Sequence, residues 1–444
     1  MQKKMVLLIS PDAHMHKFVI GSFVKSSREA PLTLTTLAAM VPEDRFDVRI
    51  VDGSIDTIPL DYPADLVGIS TLTGTCLQAY ELAEHYRNRG IPVVLGGVHA
   101  TIMPEEAKQH ADSVLIGMAE ESWPQLLQDF LDGDLKPVYE AIEPEGDTLL
   151  NVPTPRLDLM RRSGYMLPDT IQATRGCKHD CDFCSVPTVW SKYYKRPIAD
   201  VIRDIKNAPG TYLAFNDVSI IEDVDYAKEL FTAMIPLKVK WGGLSTTLIT
   251  KDQELMELAA KSGCIYMLLG FESASQMTLK SIAKGFNKKD DYHKVMQCMH
   301  DYGISVQGCF VFGFDEDDQS AFQQTVDWVN ELKVDIPRYS IYTPYPCTRL
   351  FKRLEGEGRI LTYNWGNYDT MHVVYQPTQL TPHELFDGFK WAYKQTFSAG
   401  SIGRRIFFQK LGARSVVNLA GNVTYRIFVH RLYKDERFVL PMMP

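Results

Sequence analysis

Three cysteines crowd one short run, Arg175-Gly176-Cys177-Lys178-His179-Asp180-Cys181-Asp182-Phe183-Cys184, with C-x3-C-x2-C spacing. Thiolate is the soft ligand that zinc and iron–sulfur centres prefer, so three on one loop point to a metal centre. A structural zinc site wants a fourth ligand nearby. His179 lies inside the loop, but its neighbours Lys178 and Asp180 predict an exposed turn. Three ligands on a four-iron cluster leave one iron open for a substrate, and the spacing suits that better. Cys76, Cys264, Cys298 and Cys309 sit in apolar stretches, where cysteine acts as a small hydrophobe.

The loop follows the first strand of a second βα series. Before it, strand-like runs at residues 6–10, 48–52, 66–70, 93–96 and 114–117 alternate with helical patterns such as 77–89 and 104–110. That alternation predicts a parallel sheet with covering helices. Several strands run into small residues: Ser70-Thr71-Leu72-Thr73-Gly74, Gly96-Gly97-Val98-His99 and Gly117-Met118-Ala119-Glu120. Open α/β sheets bind ligands at such ends, although tight turns alone call for the same residues. Pro137, Pro144, Pro153, Pro155 and Pro168 mark a linker. From Asp169, strand patterns at 170–174, 212–216, 241–246, 266–271, 305–314 and 338–343 alternate with helical ones. Six βα units in series predict a partial barrel with its chemistry at the strand C-terminal ends.

Composition sets outer bounds. A length of 444 residues suggests about three domains. The 45% hydrophobic and 23% charged content excludes disorder, collagen and a lone coiled coil. A net charge of −8 argues against coating nucleic acid. No apolar run is long enough to span a bilayer, and the N-terminus reads as a strand rather than a signal peptide. The eight cysteines are then reduced thiols in a cytoplasmic protein. The tail is mostly helical and basic, with a net +6 between Arg404 and Arg437. It reads as a packed cap with a solvated basic face; a peripheral membrane or anionic-substrate contact is the sharper alternative.

With Phe183 as the apolar residue of C-x3-C-x-Φ-C, the chain resembles the radical S-adenosylmethionine (SAM) superfamily. The resemblance implies a [4Fe–4S] cluster on Cys177, Cys181 and Cys184, with the open iron binding the amino and carboxylate groups of SAM. An electron from the cluster would cleave the S–C5′ bond, and the 5′-deoxyadenosyl radical would abstract hydrogen from an unactivated carbon. SAM contacts would come from Phe183, from Asn216 and Asp217 after the second strand, from Ser245 and Thr246 after the third, from Glu272 after the fourth, and from Gly308 and Phe310 on the fifth.

Residues 67–71, 95–101 and 116–120 resemble the cobalamin-binding domain that precedes many radical SAM barrels. That implies cobalamin contacts from Ser70, Thr71, Thr73, Gly96, Gly97, His99, Gly117 and Glu120. The resemblance runs to about residue 400 and includes C-methylases and an anaerobic porphyrin-ester cyclase. In the methylases, methylcobalamin gives a methyl group to a substrate radical and a second SAM restores it.

Two departures stand out. Asp12-Ala13-His14-Met15-His16-Lys17 occupies the place where the resemblance implies Asp-x-His-x-x-Gly, with Lys17 where Gly would be, and His14 is the candidate cobalt ligand. In Thr343-Pro344-Tyr345-Pro346-Cys347-Thr348, Cys347 stands where relatives show Gly; it is a candidate hydrogen donor or a tolerated small residue.

The expected architecture is α/β: a Rossmann-like cobalamin-binding domain (1–130), a linker (131–168), a partial (β/α)6 barrel (169–350) and a helical cap (351–444). The expected reaction is cobalamin-dependent C-methylation of a small molecule, lipid-like or tetrapyrrole, with a reductant such as flavodoxin or ferredoxin. Radical cyclisation, rearrangement, transfer of another SAM-derived group, a B12 or redox sensor and a structural zinc protein are the alternatives.

Overall fold

The computed structural model describes residues 2–12, 17–20, 23–406 and 413–434, and the side chains of these except 17–20, 23–28 and 413. His14, Lys410 and Arg437 lie outside the described residues. The chain forms two compact units, Met1–Gly176 with Val186–Asp217, and Cys177–Ser185 with Val218–Pro444.

The first unit is built on six parallel strands in the order Phe46–Asp52, Lys4–Ser10, Leu66–Ser70, Val93–Gly96, Ser113–Ile116, Val138–Glu140. Val6, Leu7, Leu8 and Ile9 are all fully buried, as a strand covered on both faces requires. The order reverses between Lys4–Ser10 and Leu66–Ser70, which makes a switch point of the doubly wound kind. The sixth strand, Val138–Glu140, lies where a bare linker was expected. It has three residues and buries only Tyr139, too little for a periodic pattern. Tyr165–Leu167 joins a small three-stranded sheet with Phe23–Glu29 and Lys17–Ile20. Thr170–Ile171 pairs in parallel with Tyr212–Phe215, opening the second βα series.

The second unit continues that series with Lys240–Ser245, Cys264–Glu272, Ser305–Phe312 and Ile336–Ile341, parallel and in chain order. Two of the intervening helices start where a side chain satisfies a free amide: Asp223 accepts from Tyr226 N and Asp252 from Leu255 N. One face of each strand packs on helices, seen in Phe271 against Tyr292 (4.7 Å), Phe312 against Phe322 (5.0 Å) and Tyr339 against Tyr393 (5.1 Å). The alternate residues Gly270, Cys309, Val311, Arg338 and Ser340 line the opposite face and stay half-buried.

The expected helical cap is present as Pro382–Thr396, Ala399–Ile406 and Ala413–Leu432. Its basic face is less solvated than expected. Arg405 is buried and donates to Thr396 O (2.8 Å) and Asn422 Oδ1 (2.7 Å), and Arg414 meets buried Asp335 at 2.8 Å. Among the described residues, no helix is long and apolar enough to cross a membrane.

Candidate functional site

In the second unit the cysteine loop is pinned by Asp182. Its amide donates to Ile282 O (3.2 Å), its carbonyl accepts from Leu350 N (3.0 Å), and its carboxylate accepts from the Tyr342 hydroxyl (2.6 Å). Arg349 meets Asp180 at 2.9 Å. Cys177, Cys181 and Cys184 are half-buried thiols, none in a disulfide, between these anchors. Burial pushes the Cys181 thiol up to about 12 and the Cys177 thiol up to about 11, with the Lys284 ammonium opposing at both.

His179 is not the exposed turn residue that its neighbours suggested. Its ring stacks on Phe286 at 3.9 Å and its Nε2 lies 3.3 Å from Glu222. Its amide donates to Cys177 Sγ (3.4 Å).

Beside the loop, Lys284 Nζ meets Glu272 Oε1 at 2.5 Å in a buried pair. Glu272 follows a register shift and adopts φ +63°, a left-handed conformation in a non-glycine residue. A Cβ at Gly270 would collide with both partners of the pair, so glycine is what leaves room for it. Asn287 Nδ2 donates to Gly270 O (2.8 Å) and the Tyr292 hydroxyl to Phe271 O (2.6 Å), which fixes the strand end. Spacing along the chain gives no sign of Lys284, Glu222, Asn287 or Tyr342, because tertiary packing brings them here. A lysine in the small-residue run Ala283-Lys284-Gly285 was the one local hint.

The other predicted SAM residues divide. Thr246 Oγ1 is buried with no hydrogen-bond partner among the described residues, as are Glu222 Oε1 and Asp182 Oδ1 of two residues not among those predicted. Ser245 turns its hydroxyl back to Thr246 O (3.0 Å). Phe183 sits edge-on to Tyr342 at 5.9 Å. Gly308 and Phe310 are on the helix-packed face: Phe310 is 0% exposed and stacks on Phe271 at 5.5 Å. The strand's alternation turns Gln307 and Cys309 to the open face instead. Cys347 is half-buried at φ +66°. Three thiols, a charged pair and unsatisfied polar atoms make a donor set that suits a thiolate-held cluster and a zwitterionic ligand.

In the first unit, Asp217 does not point to a ligand. Its carboxylate accepts from Thr174 N (2.5 Å), Thr174 Oγ1 (2.6 Å) and Ala173 N (3.2 Å), holding the segment that leads into Gly176. Burial raises its pKa to about 6 against those hydrogen bonds. Asn216 is exposed.

The strand ends of the Rossmann-like sheet are closely joined. Thr71 Oγ1 donates to Gly96 O (2.8 Å) and accepts from Ala100 N (3.1 Å). Gly97 has φ +95°, and a Cβ there would lie 2.8 Å from Thr71 O. Gly117 N donates to Thr101 Oγ1 (3.0 Å). His99 is wholly buried, with its ring 3.3 Å from Thr73 Oγ1 and 3.4 Å from Glu106; burial lowers its pKa. Its imidazole is therefore enclosed by the protein. Glu120 is paired with Arg175 at 2.5 Å. Ser70, Gly96, Gly97 and Gly117 remain half-exposed. Nearly bare backbone at three successive strand ends suits a broad, flat cofactor.

Comparison with known proteins agrees with both halves. The model of the B12 binding domain matches residues 26–127 and that of the radical SAM superfamily matches 171–329. The chain is 31% identical to bacteriochlorophyllide d C-12(1)-methyltransferase of Chlorobaculum tepidum, over 97% of this chain and 95% of that one. It is 27% identical to the anaerobic magnesium-protoporphyrin IX monomethyl ester cyclase of Cereibacter sphaeroides, over 68% and 55%. The fold is similar to the radical SAM methyltransferase TsrM of Kitasatospora setae, with a TM-score of 0.69 at 14% identity, covering 98% and 99%. These define a cobalamin-domain radical SAM protein. The chain belongs to that family, and it is an enzyme that uses a [4Fe–4S] cluster, SAM and cobalamin.

Proposed function

We propose that this enzyme methylates an unactivated carbon of a tetrapyrrole and that Cys177, Cys181 and Cys184 hold its cluster. The observation that carries the reading is the pinned loop of three thiols outside any disulfide, all of which have the buried Lys284 ammonium as an electrostatic neighbour. When bound, the cluster supplies the electron that cleaves SAM to the 5′-deoxyadenosyl radical, and cobalamin supplies the methyl group. The chain's own part is to place and enclose. Asp182 and Tyr342 fix the loop; Thr246 Oγ1 and Glu222 Oε1 are free to meet polar groups of SAM. The Glu272–Lys284 pair sets the local charge. Ser70, Gly96, Gly97 and Gly117 form the backbone platform for cobalamin. A dry enclosure protects radicals from water. Tetrapyrroles are favoured because both the methyltransferase and the cyclase relatives are named for one. A one-electron donor of the flavodoxin or ferredoxin kind and a reducing cytoplasm fit the cluster and cysteines that form no disulfide among the described residues.

The test is anaerobic reconstitution followed by assay for 5′-deoxyadenosine, S-adenosylhomocysteine and retained cobalamin. All three are expected from the native chain, and Cys181→Ala should lose the iron and the SAM cleavage together. Radical cyclisation would give 5′-deoxyadenosine without S-adenosylhomocysteine and would replace the methylation reading.

A further inference from the structure

We propose that Arg338 forms an anion subsite on the open face of the second unit's sheet and holds a carboxylate of the substrate. This deepens the tetrapyrrole reading and rests on it for the choice of probe. Arg338 lies on the edge strand Ile336–Ile341, directly across from Cys309, which in turn pairs with Gly270. All three belong to the face opposite the one that carries Phe271, Phe310 and Tyr339.

Other arginines of this kind are satisfied: Arg196 by Asp204 (2.6 Å), Arg175 by Glu120 and Arg414 by Asp335 as ion pairs, and Arg405 by hydrogen bonds to Thr396 O and Asn422 Oδ1. Arg338 makes neither a hydrogen bond nor an ion pair with any described residue. Its principal electrostatic neighbours are the hydroxyls of Tyr425, Tyr393 and Tyr266 and the Cys309 thiol, none a carboxylate. A guanidinium cannot shed its proton, so this one stays charged in a largely desolvated place. Its five donors match a planar carboxylate bidentately.

The surroundings favour the same ligand. The Tyr266 hydroxyl donates to Gln307 Oε1, and Gln307 Nε2 donates to Tyr425 Oη at 2.7 Å. The Tyr425 oxygen is thereby an acceptor, and its own proton has no acceptor among the described residues. Tyr425 also stacks on Phe397 (5.0 Å), so the subsite has an aromatic wall. The methionine carboxylate of SAM is the competing anion. Lys284 is the cation beside Cys181 and Cys184, whereas the main neighbours of Arg338 include none of the three loop cysteines. Cys309 has both Arg338 and Lys284 among its neighbours and so lies between the two charges.

The holoenzyme is titrated anaerobically with protoporphyrin IX and, separately, with its dimethyl ester, following porphyrin fluorescence. Wild type should bind the diacid about tenfold tighter or more, Arg338→Met should bind both alike, and Arg338→Lys should keep part of the preference. Iron content and SAM affinity should be unchanged in Arg338→Met. A preference that survives in Arg338→Met overturns the proposal, as does loss of SAM binding, which would assign the guanidinium to SAM. If wild type binds neither porphyrin, the tetrapyrrole reading fails. The subsite is then decided by alkylation of Cys309, read by peptide mass. Iodoacetate should outpace neutral iodoacetamide in wild type and lose that advantage in Arg338→Met; equal ratios in both overturn the subsite.

Discussion

The strand ends of the two units use their polar groups in opposite ways. In the first, Thr71, Thr101 and the amides of Ala100 and Gly117 satisfy one another, and the Glu120 charge is met by Arg175. In the second, Thr246, Glu222 and Asp182 keep buried oxygens without partners, and a charged pair sits beside three thiols. Glu272 and Cys347 are among the non-glycine residues of that unit that hold left-handed backbone. The first is a finished platform that can receive a ligand by shape. The second is complete only with a ligand in place, and strain and unsatisfied groups of this kind gather where chemistry is done.

The contrast breaks hardest at Lys284. Lys284→Met leaves the Glu272 carboxylate buried without its partner, a loss of about 3–5 kcal/mol. Thermal unfolding should show it, together with loss of SAM cleavage. The double variant Lys284→Met/Glu272→Gln should recover most of the stability and none of the cleavage. Recovery of both would make the pair purely structural.

On the platform side the corresponding change is Gly97→Ala. A Cβ there meets the Thr71 backbone at 2.8 and 2.9 Å, and φ +95° disfavours any side chain. The expected loss is about 2–4 kcal/mol, with cobalamin no longer retained on purification and iron content unaffected. Cobalamin retention at the native level would show that the Gly97 turn is not part of the platform.

Asp217 tests the boundary between the two kinds of site, because it looks like a ligand residue and acts as a brace. Its folded pKa of about 6 stands above the ordinary 3.8. Between those values the folded chain keeps a proton that the unfolded chain has released. Stability from this group is therefore full below about pH 4 and falls as pH rises through about 6, by about 2–3 kcal/mol. Asp217→Asn should flatten that part of the stability–pH curve, measured by denaturation at pH 4 and pH 7. An unchanged slope would exclude Asp217 as its source.

What could be read along the chain was what is local. Strands 66–70 and 93–96 appear at their expected bounds because a strand buried on both faces is a continuous apolar run. The cysteine loop is legible because its three cysteines lie within eight residues. Phe310 was misplaced because alternation fixes a strand's parity but not which face is open. Lys284 and Arg338 stayed hidden because their meaning lies in their neighbours, 12 residues away for Lys284 and Glu272 and across a strand pair for Arg338 and Cys309. Val138–Glu140 was missed because three residues carry no period.

The smallest expected effect sharpens the contrast at Cys347. The backbone there suits glycine: at φ +66° glycine bears no steric penalty and any Cβ does. Cys347→Gly should therefore stabilise the second unit by about 1 kcal/mol, after some is returned to the freer unfolded chain. If the thiol only tolerates its place, 5′-deoxyadenosine formation stays within about twofold of wild type, a change under about 0.5 kcal/mol in barrier. A stabilised variant that forms 5′-deoxyadenosine normally but no longer completes methyl transfer would mean something different. The strain would then be retained for the sulfur, and Cys347 would join Glu272 as a residue whose unfavourable backbone serves the reaction.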